Sequence, residues 1–144
     1  MEIVLASTQK HFADVFRIRT NVFIGEQHVP AQEEIDELDQ FVPILVAYEG
    51  DMALGTARVI ETKEGYAKIG RVGVLKEARQ KGVGRALMMA AMEYIEDKMS
   101  VNQIKLDAQI GAQKFYESLG FIAHGEVFLD AGIDHISMVR FIKR

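Results

Sequence analysis

Val72-Gly73-Val74-Leu75-Lys76-Glu77-Ala78-Arg79-Gln80-Lys81-Gly82-Val83-Gly84-Arg85-Ala86-Leu87 is the most informative run of this chain. It reads as the end of a strand, a short basic loop with two glycines, and the start of a long helix. Glycines let backbone N–H groups approach a ligand with no Cβ in the way. The first amides of a helix lack internal partners and sit at its positive end. Arg79, Lys81 and Arg85 add formal charge around them. Such a loop can seat a phosphate or pyrophosphate. The same two glycines equally permit a tight strand-to-helix turn with no ligand. A Walker loop is excluded, because Gly84-Arg85-Ala86 stands where Gly-Lys-Ser/Thr is needed. The dinucleotide fingerprint lacks its third glycine, replaced by Leu87.

Working outward, Val83, Leu87, Met88, Ala91, Tyr94 and Ile95 predict a helix over about 82–98. Upstream, Met1–Ser7 predicts a strand, and the apolar spacing from about Lys10 to Phe23 a helix. After Pro30 comes an acidic stretch with room for a short helix, then strands at 44–48, 53–60 and 66–75 joined by tight turns. Downstream, a strand over 104–108, a helix over 112–119 stopped by Gly120, and strands over 121–128 and 136–142 complete the order. The expected fold class is α+β, a mixed, mostly antiparallel sheet flanked by helices.

The chain has 144 residues, 49% hydrophobic and 26% charged, which predicts one globular domain spanning 1–144. No apolar run is long enough to span a bilayer as a helix, and no secretory signal pattern opens the sequence. There is no cysteine, so thiolate metal sites, disulfides and a cysteine nucleophile are excluded. A cytoplasmic location fits that composition. The net charge of -4 makes nucleic acid and anionic membrane poor partners. Glu26, Glu33, Glu34, Asp36, Glu37 and Asp39 crowd one stretch without Lys or Arg, which predicts attraction for a cation. Glu33, Glu34 and Glu37 alternatively form a solvated helix face. His11, His28 and His124 show no ligand spacing, so no metal is expected. Met88, Met89 and Met92 read as core filling.

The phosphate-type loop and a second segment together carry a resemblance. Arg79-x-x-Gly82-x-Gly84 after Val72-Gly73-Val74 resembles the acyl-CoA loop of the GCN5-related N-acetyltransferase (GNAT) superfamily. Ala112-Gln113-Lys114-Phe115-Tyr116-Glu117-Ser118-Leu119-Gly120-Phe121 is similar to that superfamily's second motif. Arg19-x-x-Val22-Phe23-x-x-Glu26-Gln27, Glu34-x-Asp36-x-x-Asp39, Leu106-Asp107-Ala108-Gln109 and Gly132-Ile133-Asp134-His135 resemble its small bacterial ElaA/YjcF-type branch.

The resemblance implies acetyl-CoA as co-substrate and a primary amine, on a small molecule or a peptide, as acceptor. It implies that Val72, Gly73 and Val74 add their amides to the pantetheine arm, with Val72 N–H polarising the thioester carbonyl. It implies that Arg79, Gln80, Lys81, Gly82, Val83, Gly84 and Arg85 hold the pyrophosphate. Gln109 stands where the superfamily often has Asn, and Phe115 lies along the pantetheine or under its own helix. Tyr116 becomes the candidate acid that protonates the departing thiolate. As a residue alone, Tyr116 is equally a core aromatic with a satisfied hydroxyl. The base that takes the amine's proton is Glu26, Asp36 or His135, directly or through water; an imidazole suits the task by its ordinary pKa. Glu26 alternatively pairs with Arg19 or another cation. With no Cys and no GxSxG serine, direct transfer is simpler than a covalent acetyl-enzyme. Two other readings stay open: an acyl-homoserine-lactone-synthase-like acyltransferase using S-adenosylmethionine, and a non-catalytic acyl-CoA sensor. A monomer or homodimer is expected.

Overall fold

A computed structural model describes residues 1–144. Seven strands form one sheet in the order β1-β2-β3-β4-β5-β7-β6. They are β1 (Glu2–Leu5), β2 (Ile44–Glu49), β3 (Met52–Glu61), β4 (Ala67–Val74), β5 (Gln103–Gln109), β6 (Ile122–Asp130) and β7 (Ile133–Phe141). Every neighbouring pair is antiparallel except β4 and β5. The helices are α1 (Gln9–Arg19), α2 (Ala31–Glu34), α3 (Val83–Lys98) and α4 (Gln113–Glu117). The element order matches the expected one, and boundaries differ by a few residues.

β2 explains the two-layer packing. Leu45 and Ala47 point into a large core with Leu87, Met88, Ala91 and Ile95 of α3. Ile44, Val46 and Tyr48, on the alternate side, pack with Val15 and Ile18 of α1. A strand covered on both faces must be apolar at consecutive positions, as Ile44-Leu45-Val46-Ala47-Tyr48 is. α1 starts on Thr8, whose side chain accepts from His11 N–H at 3.1 Å. Gly120, at φ +94°, closes α4 in the left-handed conformation expected past a helix C-terminus.

The first helix does not run to Phe23 as one α-helix. It passes at Thr20–Glu26 into a π-helical turn, with Gln27 N–H donating to Val22 O at 3.2 Å. The acidic stretch holds α2 and a single 3₁₀ turn at Glu37–Gln40.

β4 and β5 decide where a site can be. They pair only at Ala67↔Ile104 and Lys68↔Lys105, then separate. On its other side β4 carries a bulge: Thr56 pairs with Gly73 and Arg58 with Gly70. Arg71 and Val72 therefore face Ala57 without regular partners. The strain of the bulge sits on Arg71, at φ +52°.

Candidate active site

The gap between the two strands opens into a cleft of about 250 Å³. Val72 and Gly70 of β4, Asp107 and Gln109 of β5, Tyr116 of α4 and His135 of β7 line it. Phe23 and Gln27 from the π-helical turn, and Glu33 and Glu34 of α2, line another side. The π-helical turn straps this region together. Phe23's ring packs on Gly73, 3.2 Å from where a Cβ would stand. Gln109 Nε2 donates to Gln27 Oε1 at 2.9 Å, and Arg79 Nη2 donates to Glu26 Oε1 at 2.7 Å. The turn thus touches β4, β5 and the basic loop at once.

Beyond the cleft, the basic loop leads into α3. Gly82 is the N-cap of α3 at φ +81°, a conformation that L side chains rarely adopt, and no side chain caps the helix. The first amides of a sixteen-residue helix are left for a ligand. Gln80, Lys81 and Arg85 are exposed around them, and neither Lys81 nor Arg85 takes part in an ion pair. Arg79 is turned back, its Nε donating to Val74 O at 3.0 Å. A Cβ on Gly84 would stand 3.7 Å from Phe115 and 3.8 Å from Val74, so Gly84 lies beside the Phe115 ring. Val83 is buried in the core.

Tyr116 packs edge-on against Phe115 and Phe121, with ring centroids 5.0 and 6.2 Å away. Its hydroxyl has no protein partner, and burial pushes its pKa up to about 12. It is therefore a neutral phenol at neutral pH, with its proton held more firmly than in a free tyrosine. His135 is 8% exposed and opposite Gln109 in the β5–β7 register. Its Nδ1 lies 2.7 Å from Ile133 O, and its ring stacks on Phe128. A carbonyl only accepts, so in the neutral ring Nδ1 carries the proton and the Nε2 lone pair is free.

Two expectations about the acidic stretch are corrected. Glu34 is not on a solvated face: it is 2% exposed, and its Oε1 accepts from Arg19 Nε at 2.6 Å. The stretch as a whole is not a free cation site. Asp39 binds Arg19 at 2.7 Å and Arg58 at 2.9 Å, and Asp36 binds Arg58 at 2.8 Å. Arg71 adds contacts of 3.5 Å to Glu34 and to Asp36. Arginines distant in sequence neutralise most of these acids. Asp36 also accepts from Leu38 N–H at 3.1 Å, and it does not line the cleft. Glu26 pairs with Arg79 rather than Arg19 and lies outside the cleft lining. Of the three candidate bases, only His135 lines the cleft with Tyr116. Phe23, Gln27 and Gly70 were missed as cleft residues, although Phe23 and Gln27 stood inside a quoted motif.

A splayed parallel strand pair beside an uncapped, basic helix start, with a phenol and an imidazole in the gap, defines an acyl-CoA N-acyltransferase architecture. The chain matches the family model of the acetyltransferase (GNAT) domain over residues 7–141. It is 38% identical over 141 residues to the uncharacterized N-acetyltransferase YjcF of Bacillus subtilis, covering 97% of this chain and 99% of that one. The crystal structure of an acyl-CoA N-acyltransferase from Pseudomonas aeruginosa superposes with a TM-score of 0.87 at 33% identity, covering 96% of this chain and 98% of that chain. Escherichia coli ElaA superposes with a TM-score of 0.87 at 29% identity, covering 97% and 99%. This chain belongs to the GNAT family and is an N-acetyltransferase.

Proposed function

We propose that this enzyme moves the acetyl group of acetyl-CoA directly to a primary amine, with Tyr116 as acid and His135 as base. The observation that carries the reading is the joint presence of a partner-free Tyr116 hydroxyl and His135 on one cleft. That cleft lies in the gap which β4 and β5 leave beyond their second paired rung.

CoA would lie with its pyrophosphate on the start of α3 and its pantetheine arm along Val72, Gly73 and Val74. The Arg71–Val72 bulge leaves Val72 outside the regular ladder, which suits its N–H to the oxyanion formed on attack. The acceptor's ammonium gives one proton to His135 Nε2. Its nitrogen then bonds to the thioester carbon, the C–S bond breaks, and the CoA sulfur takes the proton of Tyr116. Proton loss from the new amide nitrogen, reprotonation of Tyr116 and release of the proton held by His135, all through solvent, complete the cycle. No residue carries the acetyl group. The acceptor is a small molecule or a peptide, and a reducing cytoplasm suits a chain without cysteine.

The test is thermal unfolding with acetyl-CoA, CoA, S-adenosylmethionine and a mononucleotide, followed by acetyl transfer to a panel of primary amines. A ligand at a hundredfold its dissociation constant stabilises the protein by about 2.7 kcal/mol. A shift with acetyl-CoA and CoA only, and transfer to an amine, is the expected result. No shift with acetyl-CoA overturns the cofactor assignment. A shift with S-adenosylmethionine moves the reading to a lactone-synthase-like reaction, and CoA binding without transfer to any amine to a sensor.

A further inference from the structure

Among the charged groups that line the cleft, only carboxylates are left without a partner. Glu33, Glu34, Asp107 and Asp130 line it, with Lys68 and Arg71 as the cations. Both cations are engaged. Lys68 Nζ lies 3.1 Å from Asp107 Oδ2. Arg71 donates to the carbonyls of Glu33 and Glu34 and stands 3.5 Å from the carboxylates of Glu34 and Asp36. In the buried network Arg19, Arg58 and Arg71 face Glu34, Asp36 and Asp39, so its charges balance. The excess rests on Glu33 of α2 and Asp130 at the end of β6. Both are exposed, and neither forms an ion pair. One small cleft thus carries two uncompensated carboxylates, brought to it by two different elements.

A second observation points the same way. Glu34, which is 2% exposed and lines the cleft, has an Oε2 with no hydrogen-bond donor. An acceptor oxygen left unsatisfied in a wall is costly, and a ligand that brings N–H donors to that wall relieves it. The opposite demand is missing, because neither cation on the cleft is free to hold a carboxylate of the acceptor. The cleft also limits size. About 250 Å³ is small for a ligand pocket, and the acetyl end of the cofactor would take part of it. One ammonium, the one that is attacked, belongs near His135 on the proposed reading. The charge of the walls calls for a second.

We infer that the acceptor is a small aliphatic diamine, whose second ammonium is taken by Glu33 and Asp130. This deepens the acetyl-transfer reading above and rests on it. The diamine enters as a dication. One nitrogen bonds to the acetyl carbon, and the products are the mono-acetylated monocation, the CoA thiol and one proton. Acetylation replaces one ammonium by a neutral amide, so the product is held less tightly than the substrate and leaves.

The test is calorimetric titration, at low salt, of the full chain saturated with CoA. The probes are 1,4-diaminobutane, butylamine, 4-aminobutanoate and N-acetyl-1,4-diaminobutane. The proteins are wild type, Glu33→Gln, Asp130→Asn and the double variant. In wild type the diamine is expected to bind about tenfold tighter than butylamine, as two exposed ion pairs allow. The aminobutanoate should bind weakest, the acetylated diamine should bind more weakly than the diamine, and the preference should shrink as salt rises. Each single variant should weaken the diamine about threefold, and the double variant should bring it to the level of butylamine. Equal affinity for diamine and butylamine, or tightest binding of aminobutanoate, overturns the inference and leaves the acyl-CoA reading intact. A diamine preference that persists in the double variant overturns it too, as does no binding of the diamine to the CoA-saturated protein. If a variant does not fold, the wild-type series decides. No binding of CoA overturns the acyl-CoA reading itself.

Discussion

On the proposed reading, Tyr116 and His135 divide the proton work by their surroundings. Burial holds the phenol protonated up to a pKa of about 12. Tyr116 therefore contributes no titration to the rate profile between pH 6 and 9, where it is always the acid form. Tyr116→Phe keeps the ring contacts with Phe115 and Phe121 and removes only the proton donor. Turnover should fall roughly a hundredfold or more, with acetyl-CoA affinity within about twofold by calorimetry, since the phenol is a weak contributor to ground-state binding. Unchanged turnover would remove Tyr116 as the acid. His135 is held by Ile133 O on one nitrogen, so only Nε2 is available to the acceptor. His135→Ala should slow transfer by about a hundredfold. Added imidazole should restore part of the rate if the missing group is the base. A variant that loses activity and gains nothing from imidazole would point to a packing role against Phe128.

At the scale of the element, the start of α3 offers the proposed cofactor two kinds of contact, main-chain amides and side-chain charges. The α3 amides are fixed by the fold, whereas Lys81 and Arg85 are exposed charges. Lys81→Ala or Arg85→Ala should each weaken CoA by up to about fivefold and flatten the dependence of affinity on salt. Gly82→Val forces a β-branched residue to φ +81° and should weaken CoA far more, because it moves the amides themselves. Equal effects in the two kinds of variant would argue against the main-chain site. The loop was legible in the sequence because glycines, basic residues and the switch from strand to helical periodicity are local signals. So was the order of elements along the chain, since β2 and α3 announce themselves by apolar spacing. The π-helical turn was not: its apolar residues Val22 and Phe23 continue an α-helical pattern, and the wider bonding, as of Gln27 N–H to Val22 O, has no sequence signal. The partners of the acidic stretch were illegible for a different reason. Arg58 and Arg71 lie 19 and 37 residues from the groups they bind, on strands whose pairing brings them there.

For the whole molecule, the buried ion network joins the acidic segment to α1, β3 and β4. Arg19, at the end of α1, is 1% exposed and holds Glu34, which is in α2, and Asp39 of the 3₁₀ turn. Arg58 of β3 joins Asp39 and Asp36, and Arg71 of β4 donates to the carbonyls of Glu33 and Glu34. The network fixes the short acidic helix against the bulge, and so fixes one wall of the cleft. Not every atom is served: Glu34 Oε2 and Arg58 Nε are buried without a partner. A network that is incompletely satisfied contributes less to net stability than its pairs suggest, yet losing one member strands the others. Arg19→Ala should therefore lower stability by about 3–5 kcal/mol, read by urea unfolding. A loss below about 1 kcal/mol would show that water or Arg71 replaces it readily. The pH dependence has a definite sign. Burial opposes ionisation of Asp39, but Arg19 and Arg58 outweigh it and hold the carboxyl below its ordinary range. A depressed folded pKa means the unfolded chain binds the proton first as pH falls. The stabilisation from Asp39 is then complete above the ordinary aspartate value of about 3.9 and is lost as pH drops through the lower folded value. Unfolding free energy should fall steeply below about pH 4 in wild type. Asp39→Asn should be less stable at pH 7 and show a shallower acid slope, because the group that takes up the proton is gone. An unchanged acid slope would assign the acid sensitivity to other carboxylates.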